Sequence, residues 1–359
     1  MTLLIFAAIL LLVVIGHEFG HFIVAKWCGV KVEEFGFGFP PKLFGYRPKG
    51  SETEYTVNLL PIGGFVRLYG EEGEHGDDQR SFAAKTPLQR IAILSAGVIV
   101  NLIIAVGAFT IVGMMGSTVL VTEDQRDEVA NPAVTISQVL PDSTAESAGL
   151  KFGDRIVAVN GESVETVTSV QSVIGESAGE EISLTLERGS QEITQEVTVP
   201  ELSDDDSGKI GVGLALAGTV RLGFLEALGQ SFVRIWVIVA RTIEFIGVGL
   251  ISLVTTIEAP AEADVRGPVG LVQVVGDFRA LGATYIVTFV GLISTSLALF
   301  NILPIPALDG GRILFVLIEM IKGSPVSKEL EGRVHMGGYL VLMGLMLLVT
   351  ANDIINLVR

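Results

Sequence analysis

Apolar residues in this chain come in long blocks separated by polar stretches, and four blocks, taken with their flanks, mark candidate membrane spans. Residues 3–27, LLIFAAILLLVVIGHEFGHFIVAKW, exceed the ~20 residues that span a hydrocarbon core of roughly 30 Å as a helix. Further blocks run over 91–115, 284–303 and 337–350. With their flanks they give predicted spans at 1–27, 89–116, 283–311 and 334–358. The opening MTLLIF has no basic n-region and no A-x-A follows the apolar run, so the first block reads as a retained span rather than a signal peptide. Residues 224–257 are also long and apolar but carry Glu226, Arg234, Arg241 and Glu244. Such a stretch is read as an interfacial amphipathic helix within a linker region, 211–260.

Between the second block and that helix the period changes. Val134–Val139, Ile156–Val159, Ile182–Leu186 and Glu196–Val199 alternate with strand period, with Asn160-Gly161 and Arg188-Gly189-Ser190 as turns. Ala145–Leu150 is helix-like with a glycine stop. A small mixed β domain is predicted at about 131–200 inside a polar region, 117–210, that ends in the acidic break ELSDDDSGK at 201–209. From 117 to 221 there are nineteen Asp or Glu against six Lys or Arg, most of the source of the net charge of −16. That charge argues against nucleic acid as a partner. With 49% hydrophobic and 18% charged residues and a mean hydropathy of +0.58, the chain reads as a membrane protein. One cysteine, Cys28, excludes a disulfide scaffold.

His17-Glu18-Phe19-Gly20-His21 carries the clearest chemistry. On a helix, positions i and i+4 share a face, so both imidazoles reach one zinc ion, and the glutamate beside the first can act on a water there. Ionisable residues inside an apolar helix cost about 2.5–3.5 kcal/mol each on insertion scales and mark function by default. A catalytic zinc needs a third protein ligand and an open position. The candidate is Asp309, in Asn301-Ile-Leu-Pro304-Ile-Pro306-Ala-Leu-Asp309-Gly-Gly311. Two prolines there break the helix, which is tolerated at membrane depth only where backbone is buried in protein or lines a wet cavity. Taken alone, the same segment also reads as an ordinary helix exit with an aspartate at the lipid surface.

HEFGH in a first span together with NILPIPALDGG in a late one resembles the site-2 protease family of intramembrane zinc metalloproteases, in particular the bacterial branch with a PDZ domain between its core spans. The resemblance covers nearly the whole chain. It implies one zinc ion bound by His17, His21 and Asp309, with Glu18 as general base and proton shuttle. Asn301 matches the asparagine ahead of the LDG motif, where it would contact the substrate backbone. Ser95-Ala-Gly97-Val-Ile-Val-Asn101 resembles the family's G-x-x-x-N element, with Val98 where relatives often carry proline. Asn101 is then either a substrate-holding or oxyanion-supporting amide or an interhelical hydrogen bond. Leu60–Val66, with Gly63, Gly64 and Phe65, looks like the family's membrane-associated β-hairpin, which would pair with an unwound substrate by strand addition. Residues 143–161 resemble the A-x-x-A-G-L-x-x-G-D-x-I stretch of its PDZ domain, which would take an extracytoplasmic peptide or substrate tail.

The implied fold is a membrane α-helical bundle of about four transmembrane helices, with an inserted small mixed β PDZ domain and the hairpin loop. The implied function is regulated intramembrane proteolysis, with cleavage of transmembrane protein substrates such as anti-sigma factors or remnant signal peptides. Charge agrees with a multi-pass arrangement in the cell inner (plasma) membrane. Residues 26–90 hold nine Lys or Arg, so the 28–88 loop reads as cytoplasmic. His17 lies roughly 25 Å along its helix, so the active site falls near the cytoplasmic side and the acidic PDZ domain is extracytoplasmic.

Overall fold

In a computed structural model, residues 1–71, 75–201, 209–255, 267–324 and 326–358 are described. Most of the acidic break, 202–208, lies outside them. In chain order the elements are α1 (Thr2–Trp27), β1 (Val32–Tyr46), β2 (Glu54–Leu68), α2 (Pro87–Met115), β3 (Ser117–Val121), β4 (Ala130–Val139), α3 (Thr144–Ser147), β5 (Arg155–Val159), β6 (Glu162–Ser163), α4 (Val167–Glu176), β7 (Glu181–Arg188), β8 (Gln191–Thr198), β9 (Val212–Val220), α5 (Phe224–Thr255), α6 (Pro268–Leu281), α7 (Ala283–Ile302), α8 (Asp309–Lys322) and α9 (Lys328–Val358). Four described helices are long and apolar enough to cross a membrane: Thr2–Trp27, Pro87–Met115, Ala283–Ile302 and Lys328–Ile355. α5, with its four charged residues, is not among them. The chain divides into two compact units, Met1–Phe109 with Ser231–Val275 and Phe289–Arg359, and Thr110–Gln230 with Gly276–Thr288.

In the first unit the ends of the leading helices follow from local chemistry. α1 stops at Cys28 because Gly29 takes the left-handed conformation (φ 70°) that glycine adopts freely. α2 starts with Pro87 behind a Thr86/Gln89 pair: the Thr86 amide and hydroxyl both donate to Gln89 Oε1, each at 3.1 Å. α1 and α2 approach so closely that a Cβ on Gly20 would lie 2.5 Å from the Ala96 carbonyl oxygen. Glycine there lets backbone meet backbone, as small residues do between membrane helices. β1 and β2 are each bent back on themselves, so the expected simple hairpin is a sheet of four adjacent runs, in the order 42–46, 54–58, 32–37 and 64–68. Phe35, Gly36 and Phe37 pair on both sides. The sheet rests on α1 through Phe35, edge-to-face on Phe22 at 5.4 Å. Ala25, Val32, Leu68, Phe82, Ile93 and Val316 form the buried cluster where α1, the hairpin, α2 and α8 meet.

The second unit holds a seven-stranded antiparallel sheet, ordered β3-β9-β4-β5-β7-β8 with β6 on β5. Ile182, Leu184 and Leu186 alternate into its core with Val134, Ile136 and, from α4, Val170 and Ile174. Residues 212–220, expected as linker, are an interior strand, β9, second from the sheet's edge between β3 and β4. Their small, apolar sequence VGLALAGTV has no alternation because both faces are largely covered, and both of its edges are paired within 216–219. β3, at the chain's exit from α2, was likewise outside the domain predicted at 131–200.

A fully buried Asp154 ties this unit together. Its two oxygens accept from Arg188 Nε and Nη2, both at 2.7 Å, and Oδ2 also accepts from the Lys151 amide at 2.8 Å. The paired carboxylate holds the Arg188 guanidinium above its ordinary pKa. Arg188→Leu strands a buried carboxylate, and is expected to destabilise the sheet by about 3–5 kcal/mol. The check is hydrogen exchange on the full chain, where β5 and β7 should lose protection while α1 and α2 keep theirs.

Candidate metal centre

α1 is buried along Val13, His17, Gly20 and His21. His17 and His21, one turn apart, stack edge-to-face with ring centroids 4.7 Å apart and point their Nε2 atoms at one spot, 3.1 Å from each other. α2 forms the wall behind them. A Cβ on Gly97 would meet His21 Nε2 at 2.5 Å and His17 Cε1 at 2.6 Å, so any larger residue would push the imidazoles out of line. His21 Nδ1–H donates to the Ile93 carbonyl at 2.8 Å, which fixes the tautomer and leaves the Nε2 lone pair free.

Asp309 arrives from the other side. α7 ends at Ile302, the chain turns through Leu303–Leu308, and Asp309 is the first residue of α8. Pro304 and Pro306 end the first helix. Gly310 and Gly311 permit the immediate restart, since a Cβ on either would lie within 2.4 Å of the Leu303 or Ile305 carbonyl oxygen. At the positive end of α8, the carboxylate is favoured as an anion. Asp309 Oδ2 stands 3.0 Å from His17 Nε2 and 3.3 Å from His21 Nε2.

These three atoms fit a zinc ion. Zinc bonds to imidazole nitrogen or carboxylate oxygen of about 2.0–2.1 Å give a tetrahedron with edges of roughly 3.3–3.4 Å. The three observed edges are 3.0, 3.1 and 3.3 Å, so the residues occupy three corners and leave the fourth open. Asp309 Oδ2 is buried and accepts no hydrogen bond of good geometry from the described residues, as expected of an atom whose partner is a cation. Two histidines and a carboxylate are the donor set of a catalytic rather than a structural zinc site.

The remaining sequence-predicted residues fall as follows. Glu18 is half-buried beside His17, and a Cβ on Gly64 would lie 3.1 Å from its Cγ, so the Gly63-Gly64-Phe65 run of β2 borders the glutamate. Gly63 takes a left-handed φ of 85°, where the strand bends. Phe65 pairs with Gly36, whose missing Cβ makes room for the ring. Asn301 is buried in the last turn of α7. Asn101 is fully buried, with its amide 3.3 Å from His17 Nδ1, while its backbone carbonyl accepts from Ser294 Oγ at 2.8 Å. Of the two readings the sequence allows for Asn101, this contact is the interhelical hydrogen bond, made to one of the candidate metal ligands. A His17 that binds metal through Nε2 carries its proton on Nδ1, and the amide turned end for end offers Oδ1, otherwise buried without a partner, to that proton.

Sequence reasoning missed two ion pairs that hold α8. Arg312, one turn after Asp309, bonds Glu71 at the exit of the hairpin, and Arg90 at the start of α2 bonds Glu319 at 2.7 Å. Neither spacing is local, so no periodicity could have found them.

Comparison with known proteins agrees with this geometry. The description "Peptidase family M50" matches residues 5–345. The "Putative zinc metalloprotease CPE1693" of Clostridium perfringens (strain 13 / Type A) is 36% identical over 354 residues, covering 99% of this chain and 97% of its own. Zinc metalloprotease RasP of Geobacillus kaustophilus is 30% identical over 417 residues, covering 94% of each chain. Among solved structures, the PDZ domain of the SdrC-like protein Lmo2051 from Listeria monocytogenes aligns with 27% of this chain and 93% of its own, at 20% identity and a TM-score of 0.22. Two histidines on a helix long and apolar enough to cross a membrane, with an aspartate brought to zinc spacing beside them, thus meet a match that spans nearly the whole sequence: the chain belongs to peptidase family M50, the site-2 protease family of zinc metalloproteases.

Proposed function

We propose that this protein is an intramembrane zinc endopeptidase that cleaves transmembrane segments of membrane proteins, with substrates of the class of anti-sigma factors or remnant signal peptides. The observation that carries the reading is the convergence of His17, His21 and Asp309 next to Glu18, with both histidines on a helix apolar enough to span the bilayer. These three side chains would hold zinc, which when bound would supply a Lewis acid able to make water a nucleophile near neutral pH. Glu18 takes a proton from the attacking water and returns it to the leaving amine. His21, anchored to the Ile93 carbonyl, and His17, anchored to Asn101, keep their Nε2 atoms aimed at the same point.

Presenting the peptide is the harder task, because a transmembrane helix shelters its own amides. The 64–68 run of β2 is the last of the four adjacent runs, so its outer edge pairs with no strand among the described residues. It borders Glu18 at Gly64. A substrate unwound at that depth gains new backbone partners by adding to this edge, with Gly63, Gly64 and Phe65 along it and Asn301 as a further contact to its backbone. The active site lies near the cytoplasmic side of the inner membrane. The acidic β domain is extracytoplasmic, is read as a PDZ domain, and meets substrate tails.

Purified full-length protein in detergent, given a model single-span substrate, tests this directly. Wild type is expected to hold one zinc and cut. Glu18→Gln should retain the metal and lose about 10²–10⁴-fold in rate, the usual worth of a general base. Asp309→Ala should lose the metal. Equal cutting by Glu18→Gln would overturn the assignment.

The edge makes its own prediction. Gly64→Val drives methyl groups toward Glu18 and Val14, so cleavage should fall at least tenfold with zinc content unchanged. Cleavage of the same span should rise when helix-breaking residues are placed near the scissile bond, because less of the unwinding is left to the enzyme. A leucine-only span cut as fast as one carrying Gly-Pro would count against strand addition.

A further inference from the structure

The third ligand, Asp309, sits at the end of a turn that its own hydrogen bonds hold only in part. Between α7 and α8 the Leu303 amide still reaches back to Leu299, Ile305 donates to Leu303 at 2.7 Å and Leu308 donates to Ile305 at 3.2 Å. Pro304 and Pro306 have no amide proton. The Ala307 N–H alone leaves the segment: it donates to Nδ1 of His335, in α9, at 2.9 Å. Ala307 also has φ 78°, a left-handed conformation that residues with a Cβ rarely adopt, so something outside the turn must hold it there.

Everything around His335 fits that task. One turn further along α9, Gly338 lies against Pro306 so tightly that a Cβ would stand 2.5 Å from the proline's Cβ. From α8, the Phe315 ring lies 5.5 Å from the imidazole and limits its rotation. To accept from Ala307, Nδ1 must be unprotonated, which puts the ring proton on Nε2. Nε2 is buried, without a hydrogen-bond partner among the described residues, and Glu331 Oε1 stands 4.0 Å away. Among the described residues, the bond to Ala307 is therefore the imidazole's one hydrogen bond.

We propose that His335 is a positioning residue for the metal centre: by accepting the Ala307 amide it fixes the turn two residues before Asp309, and so sets where the third ligand's carboxylate points. It touches neither metal nor substrate. This rests on the assignment of Asp309 as a zinc ligand, and the two can fail separately.

The test is zinc release from full-length protein in detergent, followed with a chromogenic chelator, for wild type, His335→Asn, His335→Gln, His335→Leu and Asp309→Ala. The Asn side-chain oxygen falls near Nδ1 and keeps an acceptor for Ala307, whereas Gln places its oxygen near Nε2, and Leu fills the space with no acceptor. Direct hydrogen-bond partners of metal ligands usually change metal affinity 10–100-fold; acting through the turn, at the lower end of that range, His335→Leu and His335→Gln should release zinc about tenfold faster while His335→Asn stays close to wild type. A packing role predicts the opposite order, with Leu closer to wild type than the smaller Asn. That order, or wild-type release by His335→Leu, would overturn the proposal. Should the Leu variant not fold, the Asn–Gln pair decides by the same rule. If Asp309→Ala holds zinc like wild type, the ligand assignment falls and the proposal with it. If Asp309→Ala loses zinc while His335→Gln does not, only the role of His335 falls.

Discussion

Two imidazole nitrogens and a carboxylate oxygen lie within 3.3 Å of one another among apolar helices, and the rest of the structure depends on that convergence. Each group would be better solvated in water, and a cation shared between them is what compensates three such atoms for their burial. A metal at their centre would turn an unfavourable cluster into a site, and would demand a geometry good to tenths of an ångström. The fold's unusual features are the means of meeting that tolerance.

Those means are mostly backbone. Gly20 and Gly97 bring α1 and α2 together until the imidazoles press on bare main chain. Pro304 and Pro306 end one helix and Gly310 and Gly311 begin the next, so that Asp309 enters from a turn rather than from a helix face. Arg312 and Arg90 then pin α8 to the hairpin exit and to the start of α2. The same arrangement sets the hairpin's outer edge, unpaired among the described residues, beside Glu18, so in the proposed function one scaffold would both hold the metal and present a peptide.

What could be read from the sequence was what depends on neighbours in sequence. The HEFGH spacing on one helix turn, the proline break before Asp309 and the apolar blocks are all local patterns, and each corresponds to a feature of the structure. The strand character of 212–220 was hidden because a strand covered on both faces has no alternation, and α6 and α8 were hidden by short, mixed sequences. The folding back of β1 and β2 into four runs depends on register, which no single strand reveals. Asn101 was visible as a polar residue in an apolar span, but its partner, 84 residues away, was not. Gly97 is legible as part of a G-x-x-x-N element; that it is a wall for both imidazoles is a fact of packing alone.

The central claim is that His17, His21 and Asp309 hold one zinc with a position left open. X-ray absorption at the zinc edge of the full-length protein tests it most directly. The account predicts nitrogen and oxygen neighbours at about 2.0–2.1 Å, with the outer-shell signature of two imidazoles and no sulfur. A sulfur neighbour at about 2.3 Å, which only Cys28 or a methionine could supply, or a spectrum without imidazole, would contradict it.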